Sequence, residues 1–175
     1  APLQAMMAVG ALTNGGYLIK PTFIKRSEED AKRGASHVVR PETSEALRYV
    51  LRLNAEVGSA RKVDIAGYYV GGKTGTAEKV VTGRYSKTKL STPFRARAPA
   101  DNPRYLVAPP VAEPQAAPET HGYATAAYNS GVITGRIIER AGPILGLEPR
   151  FKAPELPFPL LARMGYSKAN QPAQK

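Results

Sequence analysis

The stretch of sequence that decides the fold spans residues 68–79. It reads Tyr68-Tyr69-Val70-Gly71-Gly72-Lys73-Thr74-Gly75-Thr76-Ala77-Glu78-Lys79. In an extended conformation, Lys73 and Gly75 lie on one face of the strand. Thr74 and Thr76 lie on the other face and offer two hydroxyl groups. Because Gly75 has no Cβ, a ligand or a second backbone can approach closely there. The pattern is typical of a strand that binds an extended peptide at its edge and holds a carboxylate.

A buried strand with a glycine bulge is the plain alternative for this segment. The bare tripeptide Lys-Thr-Gly is weak evidence, since residue frequencies place it by chance in about 4% of chains of this size. The interpretation therefore depends on the sequence around it.

Apolar residues at helical spacing predict helices at residues 2–14, 41–57 and 121–145. Gly58 is expected to end the second helix, and Pro143 is expected to kink or end the third.

The predicted extended segments span residues 17–20, 22–25, 66–81, 92–98 and 104–113. Residues 26–36 are predicted to be a charged surface loop, and residues 82–91 a polar connection. A turn at residues 99–103 separates the last two extended segments, which predicts an antiparallel hairpin.

The composition excludes several kinds of site. The 175 residues include no cysteine and only two histidines. The chain therefore has no disulfide, thiolate metal site or cysteine nucleophile, and we expect neither a metal nor a cofactor. The net charge of +11 favours anionic partners. However, no run of five basic residues and no aromatic-rich basic motif occurs, so we do not expect nucleic-acid binding.

No apolar stretch is long enough for a membrane-spanning helix. The chain begins inside an apolar-periodic pattern, so we expect it to be part of a longer protein. We expect residues 1–150 to form part of a domain. Residues 151–175 are rich in proline and then polar, and we expect a disordered tail there.

Residues 71–77 and their flanks together resemble class B penicillin-binding proteins, in particular the FtsI-like cell-division transpeptidases. The matching flanks are Ala1-Pro2-Leu3-Gln4, Asn14-Gly15-Gly16, Lys20-Pro21, Ala98-Pro99-Ala100-Asp101-Asn102-Pro103-Arg104-Tyr105, Glu113-Pro114 and the segment 122–127. β-Lactamases share the Lys-Thr-Gly motif but not these flanks. The resemblance implies an α+β fold with a five-stranded antiparallel sheet and helices on both faces. This chain would hold only its C-terminal portion, with three of the five strands.

The resemblance also implies a function and roles for the motif. Such an enzyme cross-links peptidoglycan stem peptides ending in D-Ala-D-Ala during septum synthesis, and β-lactams acylate its serine. Lys73 would supply positive charge to the site. The hydroxyls of Thr74 and Thr76 would bind the substrate carboxylate. The backbone N–H of Thr76 would line the oxyanion hole, and Gly75 would keep the cleft open.

The family also implies a location and partners. The parent enzyme would lie at the periplasmic face of the bacterial inner membrane. Its partners would be the missing N-terminal part of the domain and division proteins such as a septal glycosyltransferase.

The serine motifs of the family are not found where they are expected. Ser-x-Asn is absent, and Ser-x-x-Lys occurs only at residues 59–62 and 86–89. Neither string opens an apolar helix that would bury the lysine and activate the serine, so we interpret Ser59 and Ser86 as chance matches. The isolated chain is therefore expected not to acylate. A non-catalytic remnant that offers an open sheet edge to a partner remains the alternative.

Three departures from the family pattern fall in the last two predicted strands. Arg95 and Arg97 share one face of a strand that is apolar in the family. Pro109 and Pro110 remove two backbone donors from the next strand. Ala112 stands where an acidic residue is usual. These changes predict weakened strands.

Overall fold

The computed structural model describes residues 2–152, and the predicted tail at residues 153–175 lies outside the described residues. The helices are α1 (Pro2–Thr13), α2 (Glu28–Arg33), α3 (Pro41–Val57) and α4 (Ser130–Ala141). The strands are β1 (Tyr17–Leu18), β2 (Ser36–His37), β3 (Gly71–Thr74), β4 (Ala77–Val81), β5 (Arg84–Ser91), β6 (Phe94–Ala98) and β7 (Tyr105–Val107). None of the described helices is both long and apolar enough to cross a bilayer.

The described strands form three antiparallel sheets. The central sheet has the order β3-β6-β7, and the pairs β1-β2 and β4-β5 stand beside it. In the central sheet Lys73 lies opposite Arg95, and Ala98 lies opposite Tyr105. The second pairing confirms the predicted hairpin, whose turn lies at residues 99–103.

Helices cover both faces of the central sheet. On one face Phe94 is fully buried, and α4 approaches it closely because Gly131 carries no side chain. A Cβ on Gly131 would lie 3.5 Å from the Phe94 ring. On the other face α3 approaches Gly71, where a Cβ would lie 3.2 Å from the backbone nitrogen of Arg52. The small residues of the sheet thus set how near the helices pack.

The prediction of a loop at residues 26–36 was wrong, because this segment contains α2. The Ser27 hydroxyl accepts a hydrogen bond from the Asp30 backbone N–H at 3.1 Å, which caps the helix. Lys32 pairs with Glu28 one turn earlier at 2.6 Å. The acidic first turn and basic last turn also fit the helix dipole. The loop was predicted because the segment is highly charged, and the capping residue Ser27 was not taken into account.

The segment predicted as one strand at residues 66–81 is divided into β3 and β4. The chain leaves the central sheet at Gly75, and β4 pairs with β5 instead. Residues 82–91, predicted as a connection, therefore contain β5, the longest of the described strands. Thr82 and Gly83 join the two strands with φ values of 49° and 79°, as in a type I′ turn. Much of β5 is exposed on both faces, so its sequence lacks apolar alternation.

The other extended segments are shorter than predicted, or absent. Residues 22–25 form no strand, and β1 pairs with β2, which was not predicted. β7 ends at Val107 rather than continuing to residue 113. Pro109 and Pro110 follow after Ala108 and cannot donate to a ladder, as their positions in the sequence indicated.

The helix predicted at residues 121–145 is also shorter. Residues 121–129 form turns, and α4 begins at Ser130, next to Asn129, whose side chain accepts a hydrogen bond from the Ser130 N–H. The helix ends at Ala141, before Pro143 can disturb it.

Candidate active site

Lys73 lies on a strand that forms one edge of the central sheet. Among the described residues, β3 pairs only with β6, so no second strand covers its other side. The side chain of Lys73 is exposed, and its Nζ donates to the carbonyl oxygen of Thr74 at 2.9 Å and to the Thr74 hydroxyl at 3.0 Å. A cation and a hydroxyl thus stand together at an open strand edge. This arrangement can bind an anion.

The Thr74 hydroxyl has a second neighbour, Ser59. The two hydroxyl oxygens are 3.0 Å apart. Asn54, near the end of α3, accepts hydrogen bonds from the Ser59 backbone N–H and hydroxyl at 3.1 and 3.3 Å. The Asn54 amide also donates to the carbonyl oxygen of Gly72 at 2.7 Å. The end of α3 therefore fixes both the backbone of β3 and the hydroxyl beside Lys73.

This connection was not predicted from the sequence, where Ser59 was interpreted only as a chance match to a nucleophile motif and Asn54 had no predicted role. The available signal was the position of Asn54, one turn before the Gly58 that ends α3.

Neither Ser-x-x-Lys string places a serine at the start of an α-helix. Ser59 precedes a short 3₁₀ turn, and the Lys62 Nζ lies over the Tyr128 ring, 4.4 Å from its centroid. Ser86 and Lys89 both belong to β5, where residues three apart point to opposite faces. The geometry therefore does not support either serine as the partner of its own lysine.

Two glycines, Gly72 and Gly75, allow close contact with β6 and with Pro93, the residue before it. The Gly75 N–H donates to the Pro93 carbonyl oxygen at 2.9 Å, and a Cβ there would lie 3.1 Å from that oxygen. Gly72 is packed more tightly. A Cβ on it would lie 2.8 Å from the Arg95 carbonyl oxygen and 2.9 Å from the Phe94 ring. Only glycine fits at residue 72 without movement of β6.

Thr76 lies just beyond β3 and is exposed. Its hydroxyl accepts a hydrogen bond from the Ala126 backbone N–H at 3.4 Å. Asn129, which caps α4, accepts a hydrogen bond from the Thr92 hydroxyl at 2.6 Å. These contacts place the loop before α4 beside the end of the motif.

A buried ionic network supports the segment that enters β3. The Arg52 guanidinium donates to both carboxylate oxygens of Asp64, at 2.6 and 3.1 Å. It also donates to Glu56 at 2.8 Å and to the Val70 carbonyl oxygen at 2.7 Å. Burial lowers the pKa of Arg52, but the hydrogen bonds and charges of Asp64 and Glu56 outweigh this effect, and its pKa is raised. Arg52 thus remains charged and holds the residues before Gly71 against α3.

Within residues 2–152, no cluster of three or more histidine or acidic side chains is arranged to hold a metal ion.

Comparisons with known proteins agree on one family. The Penicillin binding protein transpeptidase domain matches residues 1–138. Stage V sporulation protein D of Bacillus subtilis is 34% identical over 158 residues, covering 85% of this chain and 24% of that protein. The probable peptidoglycan D,D-transpeptidase FtsI of Caulobacter vibrioides is 33% identical over 157 residues, covering 85% of this chain and 26% of that protein. The chain thus spans about a quarter of the length of these curated relatives, 24% and 26%.

The fold comparison leads to the same family. The transpeptidase domain of Burkholderia pseudomallei penicillin-binding protein 3 matches with a TM-score of 0.72 at 29% identity. The match covers 85% of this chain and 44% of that chain. The predicted α+β transpeptidase fold is therefore confirmed. On its sequence and its fold alike, the chain belongs to the penicillin-binding protein transpeptidase family.

Proposed function

We propose that residues 1–150 are the C-terminal part of a peptidoglycan D,D-transpeptidase, and that β3 is its substrate-binding edge. One observation carries this proposal. In a chain of the transpeptidase family, the Lys73 ammonium and the Thr74 hydroxyl lie 3.0 Å apart on an exposed strand edge. An extended peptide can pair with such an edge through its backbone, and the cation can hold its terminal carboxylate.

The substrate of the proposed site is a stem peptide ending in D-Ala-D-Ala. Lys73 supplies the charge that attracts its carboxylate, and the hydroxyls of Thr74 and Thr76 bind that group. The backbone N–H of Thr76 donates to the carbonyl oxygen as it becomes negative during attack. Loss of one such donor typically lowers the rate about 10²–10³-fold. The missing Cβ of Gly75 serves close packing instead, because a Cβ there would lie 3.1 Å from the Pro93 carbonyl oxygen.

The proposed reaction proceeds through an acyl-enzyme. A serine hydroxyl, supplied by a part of the domain outside this chain, attacks the carbonyl carbon between the two D-Ala residues. The peptide C–N bond breaks, and the terminal D-Ala leaves as the amine with the proton from the serine. An amine of a second stem peptide then attacks the ester, forms the new amide bond and releases the serine. A β-lactam acylates the same serine by opening its ring.

The cellular context follows from the same proposal. The parent enzyme acts at the periplasmic face of the bacterial inner membrane. It works with other division proteins, such as a septal glycosyltransferase. This chain contributes the carboxylate-binding strand, while the nucleophile and the membrane attachment lie elsewhere in the parent.

The proposal is tested by acylation with a fluorescent penicillin. In the complete parent enzyme, Lys73→Ala is expected to lower the acylation rate constant about 10²–10³-fold. Lys87→Ala is the matched control, because Lys87 is an exposed lysine on β5, and it is expected to leave the rate unchanged. Equal rates for the two variants would contradict the assigned role of Lys73.

The isolated chain gives a second readout, its intact mass after the same incubation. We expect no change in mass. A stoichiometric adduct that disappears when the chain is boiled first would place an acylating serine within these 175 residues. Ser59, with its hydroxyl oxygen 3.0 Å from that of Thr74, would then be the first candidate.

A further inference from the structure

The outer surface of α4 carries a row of exposed isoleucines. Ile133, Ile137 and Ile144 are 42%, 38% and 86% exposed. Ile144 lies beyond α4, but helical hydrogen bonding continues there, since the Leu145 N–H donates to the Ala141 carbonyl oxygen at 2.9 Å. The three isoleucines therefore share one side of the helix, which we call the α4 face. Among the described residues, the shallow groove on this face is lined by α4 alone.

Two cations border the α4 face. Arg136 and Arg140 lie one turn apart and line the same groove as Ile133 and Ile137. Both arginines are exposed, and neither forms an ion pair within the described part of the chain. An uncovered apolar surface with cations at its edge fits an apolar partner that carries a carboxylate.

The chain has a segment of this kind shortly after its described part. Residues 155–161 read Glu155-Leu156-Pro157-Phe158-Pro159-Leu160-Leu161. Glu155 is the only acidic residue between positions 153 and 175. Six apolar residues follow it without interruption, and their exposure to water is unfavourable. The two prolines favour an extended backbone over a helix.

The length of this segment matches the α4 face. From Ile133 to Ile144 the helix rises by about 17 Å, at about 1.5 Å per residue. Six residues in an extended, proline-type conformation span about 19 Å. The apolar run of the segment can therefore cover the face from one end to the other.

The described chain ends near the C-terminal end of α4. The Arg150 N–H donates to the Gly67 carbonyl oxygen at 2.7 Å. The next residue, Tyr68, packs against Gly142, which directly follows α4, and a Cβ on Gly142 would lie 2.6 Å from the Tyr68 ring. Residues 152–155 can extend by about 13 Å from there. The segment thus reaches the Ile144 end of the α4 face first.

We propose that residues 155–161 bind along the α4 face, antiparallel to the helix. The apolar run begins at Ile144 and ends near Ile133, with Glu155 within reach of Arg140. Leu160 follows Leu156 by about 12 Å, which matches the distance of about 11 Å from Ile144 to Ile137 along the helix. Leu160 therefore lies beside Ile137.

The covalent link favours this occupant over a partner from solution. A tethered segment has a high effective concentration at a surface that its linker can reach. The proposal is also independent of the transpeptidase function, because it involves no residue of β3. A measurement without substrate or β-lactam tests it separately.

The test is disulfide cross-linking in the full chain. The chain contains no cysteine, so two introduced cysteines have only each other as partners within one molecule. Ile137→Cys combined with Leu160→Cys is expected to close an intramolecular disulfide in dilute solution, with the loss of two hydrogens in the intact mass. Glu139→Cys combined with Leu160→Cys is the matched control. Glu139 is exposed on the same helix but lies about 200° around it from Ile137.

The rates of oxidation distinguish the outcomes. The pair at positions 137 and 160 is expected to close about tenfold faster than the control pair, since binding raises the local concentration of the two thiols. In denaturant the two pairs should close at similar rates, because their loops have nearly equal lengths. Equal rates in native buffer overturn the proposal. A disulfide that forms mainly between two chains also overturns it, and assigns the α4 face to a second copy.

A charge variant tests the orientation of the segment. In the background of the cysteines at positions 137 and 160, Glu155→Gln is expected to slow closure about two- to fivefold, the value of an exposed ion pair. Glu119→Gln is the matched control, because it removes an exposed carboxylate outside α4 and the segment, and it should leave the rate unchanged. If Glu155→Gln closes as fast as this control, Glu155 does not bind at Arg140 and the proposed orientation is wrong.

Discussion

Replacement of Gly72 by alanine should destabilise the chain, because the new methyl group has no space. Its carbon would lie 2.8 Å from the Arg95 carbonyl oxygen and 2.9 Å from two carbons of the Phe94 ring. Ordinary contacts begin near 3.4 Å, so β6 must move by about half an ångström. The ring cannot rotate away cheaply, since Phe94 is fully buried. Overpacking of this kind costs about 1–3 kcal/mol, which corresponds to a fall in Tm of about 2–12 °C.

Urea unfolding followed by circular dichroism measures this cost directly. Gly10→Ala is the matched control, because it is the same substitution at a site with no atom within 4 Å. Gly10 lies inside α1, so alanine is expected to stabilise the chain there by about 0.5–1 kcal/mol. The two variants should therefore shift the urea midpoint in opposite directions. If Gly72→Ala is as stable as the wild type, the close contact between β3 and β6 does not exist as described.

Two further variants test the ionic contacts. Asp64→Asn leaves the buried Arg52 with a weaker partner and should lower the free energy of unfolding by about 1–3 kcal/mol; an unchanged urea midpoint would contradict the network. Asp101→Asn tests pH dependence. The hydrogen bond from Arg150 lowers the pKa of Asp101 below its ordinary 3.8, so their pair stabilises the fold above that pH and its contribution is lost as the pH falls through the folded-state pKa. The variant should therefore lose less stability than the wild type between pH 5 and 2, whereas Glu148→Gln, at an exposed carboxylate, should keep the wild-type acid response.

The elements that could be predicted from the sequence are those in which apolar residues recur at a regular spacing. α1 and α3 have apolar residues at helical spacing, and their boundaries agree with the prediction within a residue. β5 could not be predicted in this way, because both faces of the strand are largely exposed and its sequence shows no apolar alternation. Its only local signal was the pair Thr82-Gly83, which forms the tight turn. α2 is stabilised by a serine cap and ion pairs, which apolar periodicity does not detect.

In the candidate site, too, only local features could be predicted from the sequence. The motif at Lys73 could be recognised because its functional residues are adjacent in the sequence. The contact of Asn54 with Gly72 could not, because it joins residues 18 positions apart. Sequence analysis also placed Arg95 and Arg97 on one face but could not tell which would be enclosed. That difference depends on how α1 and α3 pack over the sheet.

The prolines after β7 have a consequence for aggregation. β7 has only three residues and is an outer strand of the central sheet as far as the chain is described. Pro109 and Pro110 offer no N–H to an incoming strand, while the Tyr105 hydroxyl ties the start of β7 to the Leu145 carbonyl oxygen at 2.7 Å. A second copy of the chain therefore finds only a three-residue strand to pair with at this edge, as far as the chain is described. The residues that shorten the strand thereby also hinder growth of the sheet into fibrils.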